Sequence, residues 1–142
     1  MRNLGILCGI FGLTGVLLGA FGAHALRDLL LEHGTANSWD TAVRHQLVHA
    51  VALLVVSRTA SNGPAPAGGT GRDWLRCAGR CWSTGILLFS GSLYGYALGG
   101  SHALVYVTPL GGLMLLLGWG AVIVHFVISP ARPGPGGGGP KS

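Results

Sequence analysis

The stretch "LGILCGIFGLTGVLLGAFGA" (Leu4 to Ala23) is twenty residues long and carries no charge. At 1.5 Å per residue a helix of this length covers about 30 Å, the thickness of a bilayer's hydrocarbon core. A secretory signal has a shorter apolar stretch of about 7–15 residues. The small-x-small sequence "AHA" (23–25) is therefore read as the end of a span and not as a cleavage site. The rest of the chain has the same character. Of its 142 residues 49% are hydrophobic and 9% charged, against about 25% charged in soluble domains. This depletion defines an integral membrane protein.

Three further segments are long and apolar enough to cross: about 39–58, 77–98 and 103–129. In a bilayer each satisfies its backbone internally only as a helix. The expected fold is all-α, a four-helix transmembrane bundle in a single domain over residues 1–130. Spans three and four form a helical hairpin joined by "GGSH" (99–102). The segments 59–73 and 131–142, rich in Gly and Pro, read as a flexible loop and a disordered tail. "HALRDLLLEH" (24–33) reads as a short interfacial helix, with Leu26, Leu29 and Leu30 opposed by Arg27, Asp28 and Glu32.

Basic residues set the orientation. Arg2, Arg58, Arg72, Arg76, Arg80, Arg132 and Lys141 fall on one side of this arrangement, and Arg27 and Arg44 on the other. The positive-inside rule puts both termini in the cytoplasm and the 24–38 loop outside. The net charge of +5 is thus a membrane flank and not a phosphate-binding face, and no nucleic acid is expected. Arg72, Arg76 and Arg80, four residues apart, suit anionic lipid headgroups.

The glycines inside the spans are read as packing surfaces. Gly12, Gly15, Gly19 and Gly22 share one face of the first span, Gly91 and Gly95 lie in the third, and Gly111 and Gly112 in the fourth. Lipid supplies no hydrophobic drive between helices, so interfaces rely on small residues that let backbones approach. The same faces serve an internal bundle, a homo-oligomer or a membrane-protein partner.

His24, Arg44, His45, Gln46, His49, Tyr94 and Thr108 fall at similar depth and form a candidate polar cluster in the outer half of the bundle. Asp40 and Arg44, four apart, are placed to pair. Intramembrane ionisable groups are costly and therefore functional candidates. The simplest use of the cluster is a helix-bridging network from His24 to Gln46 or His49. Zinc needs about four ligands, and three histidines with only Asp40 nearby fall short. A haem-ligating His pair is not accompanied by an attachment motif. No cofactor or metal is expected. Cys8, Cys77 and Cys81 fall on the cytoplasmic side, away from the histidines. Phosphate loops, nucleophile elbows and paired carboxylates are absent, so an enzyme is not expected. In the fourth span, helix is expected to begin before Tyr106 and to bend near Pro109, with Thr108 facing the histidines.

Four stretches, "GAFGAHAL" (19–26), "HQLVHAVALL" (45–54), "GILLFSGSLYGYAL" (85–98) and "TPLGGLMLLLGW" (108–119), together resemble the small membrane-protein family that includes bacterial YgdD and vertebrate transmembrane protein 256. The resemblance touches all four spans. It implies a four-helix protein of the inner (plasma) membrane, with His24, Gln46, His49, Ser90, Ser92, Tyr94, Thr108, Pro109, Gly111, Gly112 and Trp119 as signature positions. His45 departs from the pattern, which carries Tyr there in bacterial members. The resemblance implies no activity. The leading expectation is a non-enzymatic packing and interaction module. The alternatives are a small transporter or channel component using the outer cluster, and a haem- or quinone-contacting accessory of a respiratory complex.

Overall fold

The computed structural model describes residues 2–62 and 70–129, with side chains from residue 3 to 59 and from 73 to 129. These form five helices in chain order: α1 (Arg2–Ala23), α2 (Arg27–Glu32), α3 (Ala36–Asn62), α4 (Thr70–Ala97) and α5 (Ala103–Ile128). No strand occurs among the described residues. The four long helices measure about 33 to 42 Å at 1.5 Å per residue, enough for a hydrocarbon core of about 30 Å. Asn3–Ala23 and Ala103–Ile128 meet the test of length and apolarity for a membrane span. The other two long helices are more polar: Gln46, His49, Ser90 and Ser92 are buried, while Asp40, Arg44 and Arg76 are exposed.

Order in the bundle follows order in the chain: α1 packs on α3, α3 on α4, and α4 most extensively on α5. Each neighbouring pair is antiparallel. Gly22 lies under Trp39 while Gly15 meets Leu47, and Trp82 sits at Gly118 while Phe89 sits at Gly111. Packed along their lengths, α3 and α4 run alongside the two most apolar helices. Toward the chain termini, Phe11, Leu53, Val56, Leu75, Trp82, Ile86 and Leu115 form one buried apolar cluster. Toward α2, Leu30, Trp39 and Ala97 form a second.

Two joints of the same construction hold the outer helices to the inner pair. The indole of Trp39 lies against Gly22 and donates from Nε1 to the Leu18 carbonyl at 2.9 Å. The indole of Trp82 lies against Gly118 and donates to the Leu115 carbonyl at 3.2 Å. Both rings are almost fully buried. A helix backbone carbonyl is reachable only because glycine supplies no Cβ to hold the ring away. Gly79 against Leu4, Gly85 against Leu115 and Gly95 against Leu104 extend the same close packing.

Several expectations need correction. A Cβ at Gly12 or at Gly91 would meet nothing within 4 Å, so neither belongs to an internal packing face, whereas Gly15, Gly19, Gly22, Gly95, Gly111 and Gly112 all face a neighbour. Helical period identifies a face but not the residue standing opposite it. In α2 it is Leu30 that enters the core, with Leu26 half-buried, while Leu29 is exposed. Helix continues past the expected span limits on both sides of the linker, to Asn62 and from Thr70. Residues 63–69 and the tail from residue 130 lie outside the described residues, as does the side chain of Arg72. As expected, α5 begins before Tyr106, at Ala103, and it runs through Pro109 as one element.

The 24–35 connection is tied down at the end of α4. Thr35 donates to the Ala97 carbonyl at 2.9 Å, and His33 Nδ1 approaches the same oxygen at 3.4 Å. One carbonyl at the α4 C-terminus, without an intrahelical partner of its own, thereby fixes how the α2 turn sits on the bundle. The chain reverses direction at Gly34 and Gly99, whose positive φ angles of 65° and 88° suit glycine.

Candidate functional site

Gln46 is the centre of the polar seam. It is buried on α3 between α1 and α4. Its Nε2 donates to the Phe11 carbonyl and to Thr14 Oγ1, both at 2.8 Å, and its Oε1 accepts from Tyr94 OH at 3.0 Å. The amide orientation follows from its partners: a carbonyl oxygen cannot donate, so the nitrogen must face Phe11. Thr14 Oγ1 in turn donates to the Ile10 carbonyl at 2.8 Å. One side chain thus joins three helices and uses both amide hydrogens.

Flanking Gln46 on α3, two imidazoles four residues apart each bond back to the helix's own backbone. His45 Nδ1 lies 2.8 Å from the Thr41 carbonyl, and His49 Nδ1 lies 2.7 Å from the His45 carbonyl. A carbonyl oxygen only accepts, so both Nδ1 atoms carry hydrogen. His49 Nε2 accepts from Trp119 Nε1 of α5 at 3.2 Å. That acceptor role requires the neutral ring, and it ties α3 to α5 across helix α4. The rings of Trp82 and Trp119 meet edge to face at 4.9 Å. A third set of bonds links α3 to α4 and α4 to α5. Ser90 donates to the Ala42 carbonyl at 2.9 Å, and the hydroxyls of Ser92 and Thr108 are 2.8 Å apart.

The expected cluster therefore divides. Gln46, His49 and Tyr94 are brought into the seam, and His45 lies beside it. His24 falls in the turn beyond α1, exposed and without a side-chain bond, because the helix ends at Ala23. Arg44 is also exposed, and no ion pair joins it to Asp40. It lies about 100° around the helix from His45 and so faces away from the seam. Thr108 pairs with Ser92, and no hydrogen bond joins it to a histidine among the described residues. The bridge from α1 to α3 is made by Gln46 and Trp39, without His24. Among the described residues no group of three His, Cys, Asp or Glu side chains is gathered for a metal. Cys77 and Cys81 Sγ atoms lie 4.0 Å apart on the surface of α4, and Arg76 is paired with Asp73 at 2.9 Å. Trp39 and Trp82, which sequence reasoning left out, carry the helix joints. Their signal was an aromatic N–H donor in a chain rich in glycine.

Beside the seam an open groove of about 590 Å³ runs between α3 and α5 with α4 as its floor. His45, His49, Phe89, Pro109, Gly112 and Trp119 line it. The His45 ring leans on Phe89, with centroids 4.5 Å apart. Its Nε2 has no partner among the described residues.

Four antiparallel helices of membrane length, joined through an inward-facing polar seam and clad in apolar side chains, define a multi-pass integral membrane protein. The chain belongs to the family of membrane proteins designated UPF0382. The family model described as a protein of unknown function (DUF423) matches residues 18–112. The UPF0382 membrane protein of Haemophilus influenzae is 39% identical over 114 residues, covering 80% of this chain and 84% of that protein. YwdK of Bacillus subtilis is 36% identical, covering 89% and 98%. The Escherichia coli inner membrane protein YgdD is 33% identical, covering 87% and 88%. No solved structure matches significantly.

Proposed function

We propose that the protein is a non-enzymatic membrane module whose polar groups hold four helices in one arrangement, and which acts by binding within the bilayer. One observation supports this reading above others: the seam's hydrogen-bonding capacity is engaged between helices. Gln46, His49, Tyr94, Trp39, Trp82, Ser90 and Ser92 all bond to another residue of the bundle, and no buried side-chain nitrogen or oxygen among the described residues lacks a partner. A transport path needs polar groups that exchange partners with a passing solute. A saturated seam favours a fixed scaffold. The outward faces remain for binding: the groove between α3 and α5, and the exposed Arg80 beside the Arg76–Asp73 pair for anionic headgroups at the membrane surface.

The test is native mass spectrometry of the protein extracted with its surrounding lipid into nanodiscs. Retention of a second chain, a second copy or a stoichiometric lipid is expected. A folded, bare monomer would remove the binding role, and saturable solute flux in liposomes would replace it with the transporter reading.

A further inference from the structure

The groove between α3 and α5 has an unusual hydrogen-bonding character. Each N–H donor on its walls is already engaged. His45 Nδ1 is held by the Thr41 carbonyl, His49 Nδ1 by the His45 carbonyl, and Trp119 Nε1 by His49 Nε2. Pro109 has no N–H at all. One ring nitrogen remains without a partner among the described residues, His45 Nε2, and with hydrogen on Nδ1 a neutral imidazole presents it as an acceptor. No cationic side chain lines the cavity. A phosphate headgroup would find no countercharge there, and a ligand carbonyl would find no donor. What matches is an uncharged group that donates a hydrogen bond.

The shape narrows the choice. The rings of His45, Phe89 and Trp119 line the groove together with Pro109 and Gly112. A Cβ at Gly112 would rest about 3.6 Å from the Phe89 ring, so the glycine leaves a slot beside that ring without a clash. A groove lined by three aromatic rings suits a planar ring. A volume of about 590 Å³ lies within the roughly 300–1,000 Å³ typical of small-molecule sites. Leu113 and Leu116 continue the wall and are largely exposed, which offers an apolar exit for a hydrocarbon tail.

We propose that the groove binds the reduced, hydroquinone form of a membrane quinone, with His45 Nε2 accepting from a ring hydroxyl and the tail leaving past Leu113 and Leu116. The proposal rests on the reading of the protein as an intramembrane binding module. It also gives His45 a role its neighbours in the seam do not share. The imidazole is bonded only within its own helix, so it is available to a ligand without loss of a helix joint.

The experiment uses the full chain in phosphatidylcholine nanodiscs, labelled with ¹⁵N-histidine and titrated with decylubiquinol or with decylubiquinone. The His45 Nε2 resonance, assigned by its loss in His45→Phe, reports directly on hydrogen bonding at that atom. The expected result is a saturable shift with decylubiquinol and binding at least about tenfold weaker for the oxidised form, the value of one hydrogen bond of about 1.4 kcal/mol. His45→Phe should abolish the preference between the two forms while leaving the thermal transition in place. Equal binding of both forms overturns the proposal. So does a groove filled only by a phospholipid chain or by a second copy of the protein. The comparison of oxidation states on the unaltered chain stands even if the variant fails to fold. If decylubiquinol does not bind while nanodisc spectra still retain a partner chain or lipid, this inference fails and the binding module survives. A bare monomer in those spectra removes both.

Discussion

Trp119 donates its indole N–H to His49 Nε2 across 3.2 Å, and His49 passes a hydrogen bond from its other nitrogen to the His45 carbonyl at 2.7 Å. The pair links α5 to α3, two helices that are not sequential neighbours in the bundle. It also fixes the histidine as neutral, with hydrogen on Nδ1. The imidazole is therefore an acceptor bridge and not a charge. Interhelical hydrogen bonds in membranes contribute about 0.6 kcal/mol on average and up to about 1.7. A double-mutant cycle with Trp119→Phe and His49→Leu, read by reversible unfolding in mixed micelles, should give a coupling of about 1 kcal/mol. A coupling near zero would remove the bridge from the list of structural contacts.

Gln46 allows a sharper test because its two ends have different chemistry. Gln46→Leu deletes three bonds and leaves Tyr94 OH without its acceptor, at a cost of about 1–3 kcal/mol. Gln46→Glu nearly preserves the shape but replaces the donor facing the Phe11 carbonyl with a second oxygen. Ionised, it also buries a charge without a partner. The expected order of stability at neutral pH is Gln, then Leu, then Glu. Acidification should recover part of the loss in the Glu variant, since a protonated carboxyl donates again. A Glu variant as stable as the parent would mean that Gln46 does not hold this orientation.

Composition and the run from Leu4 to Ala23 made the four-helix architecture legible, because bilayer thickness leaves a chain so poor in charge few other solutions. Of the polar residues placed together by sequence, Gln46 and Tyr94 bond to each other, while His49 bonds instead to Trp119. Which groups bond was not legible. His24 looked equivalent to the others by depth, yet it lies one residue past the end of α1 and points out of the bundle's seam. Gln46 prevails because an amide supplies donors and an acceptor at once, matching a carbonyl and a hydroxyl on one side and a phenol on the other. The tryptophan joints depended on pairing Trp39 with Gly22 and Trp82 with Gly118. Such pairings are fixed by interhelical register, which no single helix's periodicity contains.

The glycine joints separate packing from mere composition. At Gly22 an added methyl would collide with the Trp39 indole, and at Gly12 it would meet nothing within 4 Å. Gly22→Ala should destabilise by about 1–3 kcal/mol through overpacking and loss of the indole-to-carbonyl bond. Gly12→Ala should be neutral or stabilising by up to about 1 kcal/mol, since alanine is the better helix former. Gly118→Ala and Gly120→Ala form the matching pair on α5, because Gly118 sits under Trp82 and Gly120 is open. Thermal melts of the four variants in one detergent decide the matter. Equal losses at closed and open positions would indicate a propensity effect and no joints.

Orientation is the remaining expectation that a direct measurement reaches. The start of α1, the end of α3, the start of α4 and the end of α5 lie at one end of the bundle, because the four long helices are antiparallel in sequence order. That end carries Arg58, Arg76 and Arg80, together with Arg2, Arg72, Arg132 and Lys141 in the flanking sequence. The opposite end has Arg27, itself near Asp28 at 4.0 Å, and Arg44 on α3. Lysine and arginine are retained on the cytoplasmic side during insertion, so by the positive-inside rule the imbalance of seven to two predicts cytoplasmic termini. A reporter active only in the cytoplasm, fused after Ser142, should be active, and the same reporter placed in the 99–102 turn should be silent. The reverse pattern would invert the protein and put the basic end at the outer surface. Activity at both positions would mean that α4 and α5 do not both cross.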